Sequence, residues 1–193
     1  MIDFSHKPTI EGEKVILRPF KTEEDFPYIE ECLLDPEVVK LTGSSPEYNR
    51  DETIDWYNTR NKQVNRLDLA IVDKIQHILI GEAVVNLYDE KNHRMNFRIL
   101  IGPKGRNRGL GTEATQLIVD YVFKNSDLNE LTLGVFAFNP RAKKVYEKAG
   151  FIIDSIDKND LEFEGEWIDS INMKLTRNNW IEKQDKKSES MRI

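Results

Sequence analysis

The sequence predicts one α/β (α+β) domain in which helices cover both faces of a mixed, mostly antiparallel sheet of about seven strands. Its 193 residues suffice for one domain with a sizeable core, and a hydrophobic content of 39% is ordinary for a globular protein. Apolar segments bounded by turn residues alternate with segments of helical periodicity. A loop rich in glycine and arginine joins one strand directly to one helix. We therefore expect a layered domain built around that loop.

Seven strands are predicted from short apolar runs that turn residues separate. They cover residues 13–20, 67–72, 78–87, 95–101, 131–138, 151–156 and 166–175. Gly81, inside the third of these runs, is expected to mark a bulge.

Five helices are predicted from helical spacing and capping residues. The first covers residues 22–34, with Thr22 as its N-cap and an acidic first turn, and the next two cover residues 35–41 and 51–65. A fourth follows the glycine-rich loop, and a fifth runs from Asn139 to a C-cap glycine, Gly150. Residues 43–49 are expected to form a turn-rich loop. The domain is expected to span residues 10–180, followed by a polar, disordered tail at residues 181–193.

The charge balance of 28 basic and 34 acidic residues argues against a nucleic-acid surface and suits a cationic substrate. No apolar run approaches the length of a membrane span, and the first ten residues lack a signal peptide's apolar segment, so a cytoplasmic location is expected. Cys32 lies in an apolar helical pattern and is interpreted as a core residue. His6, His77 and His93 have no ligand spacing to Cys32 or to carboxylates, so no metal site is expected.

The loop around Gly109 and Gly111 has the features of a phosphate-binding loop. Glycine lets the backbone approach a ligand, and the unpaired N–H groups that begin the next helix favour negative charge. Residues 109–114 fit the dinucleotide fingerprint G-x-G-x-x-A, which also requires an acidic residue at the end of the next strand. That strand instead ends at Asn139. The other interpretations are a pyrophosphate-binding pattern, Arg106-x-x-Gly109-x-Gly111, and a loop without a ligand.

A second segment favours the pyrophosphate interpretation. Residues 139–151 read N-P-R-A-K-K-V-Y-E-K-A-G-F, and together with the loop pattern they resemble the GNAT superfamily of acyl-CoA-dependent N-acetyltransferases. The opening G-E-K-V-I-L-R-P-F and the closing residues 169–180 resemble the branch that contains the ribosomal-protein N-terminal (alanine) acetyltransferases, with polyamine and aminoglycoside acetyltransferases as relatives. The resemblance covers roughly residues 10–180.

The resemblance implies a sheet that splays apart at the site of acetyl-CoA, the acetyl donor, and direct acetyl transfer in a ternary complex. A backbone N–H near Leu100 or Ile101 would polarise the thioester carbonyl, and Tyr146 would protonate the leaving thiolate. No metal is required. The residues that the resemblance implies for CoA binding are Leu100, Ile101, Arg106, Asn107, Arg108, Gly109, Leu110, Gly111, Thr112, Asn139, Lys143 and Tyr146.

The general base must come from another position than in some N-terminal acetyltransferases, because Gly134 stands where they carry a glutamate. Glu82, Glu164 and Asp169 are reserve candidates, and our first candidate is Glu162. It lies in the segment E-F-E-G-E-W, which resembles the family's E-F-x-x-G-x-aromatic segment with one residue fewer. The alternative is that Glu162, Glu164 and Glu166 form a solvated acidic hairpin.

The acceptor we expect is the α-amine of a protein or peptide N-terminus. Its pKa of about 7.7–8.0 leaves it partly neutral at pH 7, whereas a lysine-like amine near 10.4 is neutral in only about one molecule in 10³. A polyamine or aminoglycoside amine is the alternative, and a non-catalytic acyl-CoA-binding module is an alternative of another class, against which Tyr146 argues. Trp56 and Tyr57 either line the acceptor site or pack in the core. No membrane or nucleic-acid partner is expected, and a homodimer is compatible with the sequence.

Overall fold

The computed structural model describes residues 3–44 and 47–190. Its strands form one sheet and are β1 (Ile10–Glu11), β2 (Val15–Arg18), β3 (Leu67–Asp73), β4 (Leu79–Asp89), β5 (Arg94–Ile101), β6 (Glu130–Phe136), β7 (Ile152–Phe163) and β8 (Glu166–Thr176). The spatial order is β1-β2-β3-β4-β5-β6-β8-β7. All neighbouring strands are antiparallel except β5 and β6, which are parallel. The predicted fold class is confirmed, and the described residues form eight strands rather than about seven.

Helices cover both faces of this sheet. They are α1 (Thr22–Leu34), α2 (Pro36–Thr42), α3 (Arg50–Arg60), α4 (Leu110–Asn125), α5 (Pro140–Ala149) and α6 (Arg177–Ser190). One core cluster joins α4, α5 and α6 to the sheet through residues such as Phe97, Ile118 and Phe151, and a second joins α1, α2 and α3 to it through residues such as Ile29 and Leu100. No helix among the described residues is long and apolar enough to cross a membrane.

Several predicted elements are confirmed with their caps. Asn139 caps α5 by accepting the N–H of Ala142 at 3.1 Å, and Gly150 ends that helix with a φ of 106°. Cys32 is buried in the second core cluster, and burial raises the pKa of its thiol to about 12, which suits a core residue. A register irregularity between β3 and β4 lies beside Gly81, where a Cβ would come within 2.0 Å of the Leu100 carbonyl oxygen.

Two predicted helix ends were wrong. Lys21 rather than Thr22 is the N-cap of α1, and its backbone N–H donates to the carboxylate of Asp25. α3 ends at Arg60 instead of residue 65, and beyond its end the carbonyl groups of Gln63 and Arg66 accept from the ammonium of Lys7.

The tail that we predicted to be disordered, residues 181–193, is helical up to Ser190, because α6 continues to that residue. Lys183 and Gln184 donate to Gln116 and Asp120 of α4, so these polar residues have partners that the composition does not reveal. Residues 191–193 of the expected tail, and Ser45 and Pro46 of the expected loop at residues 43–49, lie outside the described residues.

The sheet splays apart between its two parallel strands. β5 and β6 pair only from Arg94 to Asn96 on β5 and from Glu130 to Thr132 on β6. Beyond these pairs, β5 continues beside β4 to Ile101 while β6 continues beside β8 to Phe136. A gap therefore opens between β5 and β6, as the sequence resemblance implied.

Candidate active site

A cleft of about 760 Å³ occupies the gap between β5 and β6. All of the predicted donor-binding residues line it except Arg108 and Lys143. Arg108 pairs with Asp73 at 2.5 Å, and Lys143 pairs with Glu147 of its own helix at 2.6 Å. The structure therefore brings the glycine-rich loop and the Asn139–Tyr146 segment together at one cavity, while the contacts with a donor stay predictions.

Backbone groups of both strands face into the gap. The Gly102 N–H donates to the Ile80 carbonyl at 2.8 Å, so strand alternation directs the Leu100 N–H toward β4 and the Ile101 N–H into the gap. The geometry thus favours Ile101 over Leu100 for polarising a thioester carbonyl. Just after β6, the Ala137 N–H donates to the backbone carbonyl of Asp169 in β8, so the same alternation directs the polar backbone groups of Gly134 into the gap.

The N-terminus of α4 forms the end of the cleft where an anion would be favoured. Gly109 is its N-cap, with a φ of 77° that glycine adopts readily. The first helical hydrogen bond runs from the Glu113 N–H to the Gly109 carbonyl, so the preceding N–H groups have no partner within the helix. A Cβ on Gly111 would lie only 3.2 Å from Ile101 Cγ1. These residues fit a pyrophosphate that approaches the backbone closely, as in CoA.

Two arginines line the same end of the cleft and share one acidic partner. Arg106 Nη1 lies 3.1 Å from Glu37 Oε2, and Arg106 also pairs with Asp35. Arg141 pairs with Glu37 as well and lies 3.4 Å from Asn107 Oδ1. Since Asp35 precedes α2 and Glu37 lies in its first turn, these ion pairs fasten α2 beside the glycine-rich loop.

Tyr146 reaches the cleft from α5. Its ring packs against Phe97 and Phe151 with centroid distances of 6.2 and 6.1 Å, and its side chain is buried. Burial raises the pKa of its phenol to about 12, so the hydroxyl stays protonated at neutral pH. The hydroxyl makes no hydrogen bond within residues 3–44 and 47–190 and is available as a donor.

Glu82 reaches the cleft from β4, on the face of the sheet opposite to that of Tyr146. It pairs in register with Leu100, a member of the core cluster under α1 and α3, whereas Tyr146 belongs to the cluster under α4 and α5. The side chain of Glu82 is 14% exposed, and burial raises the pKa of its carboxyl above the ordinary value. A buried carboxylate with a raised pKa is a stronger base than a solvated one.

Glu162, the predicted base, lies in the β7–β8 hairpin beside a turn at Glu164 and Gly165. It is exposed and does not line the cleft, and Glu164 and Glu166 are exposed too, as the alternative interpretation of a solvated acidic hairpin describes. The carboxylate that does line the cleft from β7 is Asp160, which accepts a 2.6 Å hydrogen bond from Ser170.

Of the two acidic groups that line the cleft, our sequence reasoning named Glu82 only as a reserve candidate behind Glu162 and did not name Asp160. A charged residue inside the otherwise apolar run of residues 78–87 was the available signal for Glu82. Of the two helix aromatics, Tyr57 is buried and hydrogen-bonded to Glu82, whereas Trp56 is 53% exposed, and neither lines the cleft. Within the described part of the chain, no group of three or more His, Cys, Asp or Glu side chains is arranged to hold a metal.

Comparison with known proteins identifies the family of the chain. The model of the acetyltransferase (GNAT) domain matches residues 14–152. The chain belongs to this family. It is therefore an N-acetyltransferase whose acyl donor is acetyl-CoA and whose acceptor is an amine.

The relatives of this GNAT chain include spermidine N(1)-acetyltransferase of Escherichia coli K12, which is 25% identical over 171 residues that cover 88% of this chain and 90% of that protein. An N-acetyltransferase 9-like protein of Nematostella vectensis is 27% identical over 158 residues, covering 72% of this chain and 75% of the relative. Among solved structures, Vibrio cholerae spermidine N-acetyltransferase in complex with CoA and spermine has a TM-score of 0.79 at 20% identity, and the match covers 88% of this chain and 99% of that one.

The family model confirms the predicted superfamily, and the relatives do not single out the predicted branch. They include spermidine N-acetyltransferases, and they do not specifically support the ribosomal-protein N-terminal acetyltransferases. The alternative that we gave for the acceptor, a polyamine, is better supported than a protein N-terminus. Family membership also disfavours the non-catalytic acyl-CoA-binding module.

Proposed function

We propose that this protein transfers the acetyl group of acetyl-CoA to a primary amine of a polyamine. The observation that carries the proposal is the buried carboxylate of Glu82, which lines the same cleft as Tyr146 from the opposite face of the sheet. An amine with a pKa near 10 is almost wholly protonated at pH 7, so it needs a stronger base than an α-amine does. Burial supplies that basicity at Glu82.

The roles follow from the two faces of the cleft. Glu82 takes one proton from the ammonium group of the acceptor, and the neutral nitrogen then forms a bond to the acyl carbon as the bond from carbon to sulfur breaks. The second proton that the nitrogen loses passes to the departing sulfur, so CoA leaves as a thiol. Acetyl-CoA supplies the acyl group as a thioester, and the Ile101 N–H stabilises the carbonyl oxygen. Tyr146 donates to the departing sulfur. Since the phenol pKa of about 12 exceeds an ordinary thiol value near 8.5, its role is to stabilise developing negative charge rather than to release a proton easily.

Asp160 supports a polycationic acceptor over a simple amine. It lines the cleft on the acceptor side of the sheet, and it belongs to a hairpin that also carries exposed Glu162, Glu164 and Glu166. These carboxylates attract cations, and a linear molecule with several ammonium groups can contact Asp160 with one while another reacts. The two spermidine N-acetyltransferases agree with this choice, and the cytoplasmic location and a homodimer stay predictions.

The test is turnover of acetyl-CoA with four acceptors: spermidine, spermine, an aminoglycoside and a peptide with a free N-terminus. Spermidine or spermine should give the highest kcat/KM. A kcat/KM for the peptide that exceeds both polyamines would overturn the proposal and restore the N-terminal acceptor.

A pair of variants links the acceptor to the cleft. Asp160→Asn should raise the KM for spermidine about tenfold, because one contact with a charged group is lost, and it should leave CoA affinity unchanged. Asp154→Asn is the matched control, since Asp154 lies on the same strand but pairs with Lys174 at 2.6 Å and does not line the cleft. Equal effects of the two changes would remove Asp160 from the acceptor site.

A further inference from the structure

We infer that Tyr57 is a positioning residue that fixes the Glu82 carboxylate toward the acceptor amine. This inference rests on the proposed role of Glu82 as the base. Tyr57 Oη donates to Glu82 Oε2 at 2.7 Å, which leaves Oε1 as the oxygen that can accept a proton. Glu82 Oε1 lies 3.9 Å from Arg98 Nη2, and Arg98 lines the cleft as Glu82 does.

The tyrosine itself is held firmly. Its side chain is 5% exposed, and its ring meets Phe20 edge-on with centroids 5.0 Å apart. Asn61 in turn fixes the backbone of Phe20, accepting from its N–H at 3.1 Å and donating to its carbonyl at 2.7 Å. The hydroxyl of Tyr57 is therefore a fixed donor on α3, whereas a glutamate without such a partner would be free to change rotamer.

The hydrogen bond also affects the basicity of Glu82. Burial disfavours the charged carboxylate, whereas the donated hydrogen bond of Tyr57 and the nearby guanidinium of Arg98 favour it. Removing the tyrosine hydroxyl should raise the carboxyl pKa further. Ionisable groups face Glu82 from the elements around it. They are Tyr57 and Arg60 of α3, Arg98 of β5, Asp68 of β3, Arg66 just before β3, and Cys32 of α1.

A second tyrosine–glutamate pair offers a matched control. Tyr48 donates to Glu30 at 2.8 Å on the same face of the sheet, but neither residue lines the cleft. Tyr48→Phe and Tyr57→Phe remove the same chemical group from the same kind of pair. Both changes keep the aromatic ring, and thermal unfolding of the two variants compares their folding directly.

The experiment measures the pH dependence of kcat with acetyl-CoA and spermidine for the wild type and both tyrosine variants. Base catalysis requires the carboxylate form, so activity falls as the pH drops through the carboxyl pKa of Glu82. In Tyr57→Phe this acidic limb should move to higher pH by about one unit, the shift expected on losing one hydrogen bond to a charged group. Activity should recover at higher pH. Tyr48→Phe should leave the limb in place.

A carboxyl NMR titration of Glu82 in the free protein provides a measurement that does not depend on the acceptor. The Glu82 pKa should be higher in Tyr57→Phe than in the wild type and in Tyr48→Phe. An unchanged Glu82 pKa together with an unchanged acidic limb, or a loss of kcat that is uniform with pH, would overturn the inference.

Glu82→Gln separates this inference from the proposed function. Full activity of Glu82→Gln would refute the base itself, whatever the result at Tyr57. Low activity of Glu82→Gln together with a wild-type profile of Tyr57→Phe would leave the base in place and refute only the positioning role.

Discussion

The cleft has a donor wall, formed by the glycine-rich loop, α4 and α5, and an acceptor wall, formed by α2, β4 and the β7–β8 hairpin. The donor wall presents backbone N–H groups and glycines from two short segments, whose spacing in the sequence is sufficient to recognise them. The acceptor wall presents the carboxylates of Glu82 and Asp160, which come from strands far apart in the chain. The comparison teaches that local motifs specify donor binding, whereas tertiary structure assembles the acceptor chemistry.

The largest expected effect is at Tyr146, on the donor wall. Tyr146→Phe keeps the ring between Phe97 and Phe151 but removes the donor to the leaving sulfur, so kcat should fall about 10²-fold while CoA affinity stays nearly unchanged. Steady-state kinetics and calorimetry with CoA measure the two quantities. A variant with full kcat would show that the phenol only packs.

The next prediction compares Glu82, the base that the structure indicates, with Glu162, the base that the sequence predicted. Glu82→Gln should lower kcat/KM about 10²-fold at pH 7 and recover as the pH approaches the acceptor pKa, because neutral amine then forms without a base. Glu162→Gln, the same substitution at an exposed site outside the cleft, should change it less than about twofold. The reverse order of the two losses would restore Glu162 as the candidate base.

On the donor wall, a graded pair of substitutions tests the close approach of the backbone. Gly111→Val should weaken CoA binding about tenfold or more and Gly111→Ala less, because a Cβ there already lies 3.2 Å from Ile101 Cγ1 and branching adds two further carbons. Calorimetry with CoA and with NAD checks the prediction. Tight NAD binding without a CoA signal would return the loop to the dinucleotide interpretation.

The smallest expected effect is at Glu37, whose ion pairs connect the two walls. Because Glu37 pairs with both Arg106 and Arg141, Glu37→Gln should release Arg141 and leave Arg106 paired with Asp35 alone, which should tighten CoA binding by about two- to fivefold at low salt. Glu31→Gln is the control, since Glu31 pairs with Lys104, which does not line the cleft. Weaker CoA binding in Glu37→Gln would mean that α2 must stay fastened to hold the donor.

The sequence was sufficient for the fold class and for most of the donor wall, because glycine spacing, the Asn139 cap and the Gly150 C-cap are local properties. The choice of Glu162 as the base followed from a local segment as well, and the structure places it in an exposed hairpin. Glu82 depends on β4 lying beside β5 and on α3 packing over both, which the spacing of residues along the chain does not encode. The pairing of Arg106 with Asp35 and Glu37 is equally non-local.

The splay between β5 and β6 also bears on self-association. An unpaired strand edge is ordinarily a template on which another chain can add, and here two such edges face each other inside the sheet. The paired residues Arg94–Asn96 close one end of the gap, and α2 lies at the cleft with Val38, Leu41 and Thr42, so a whole foreign strand meets obstacles that a thin ligand avoids. The outer edges are blunted by other means, since β1 has two residues and β7 carries charges and a register irregularity. The protein thus offers hydrogen-bonding edges to a substrate while limiting the risk of aggregation.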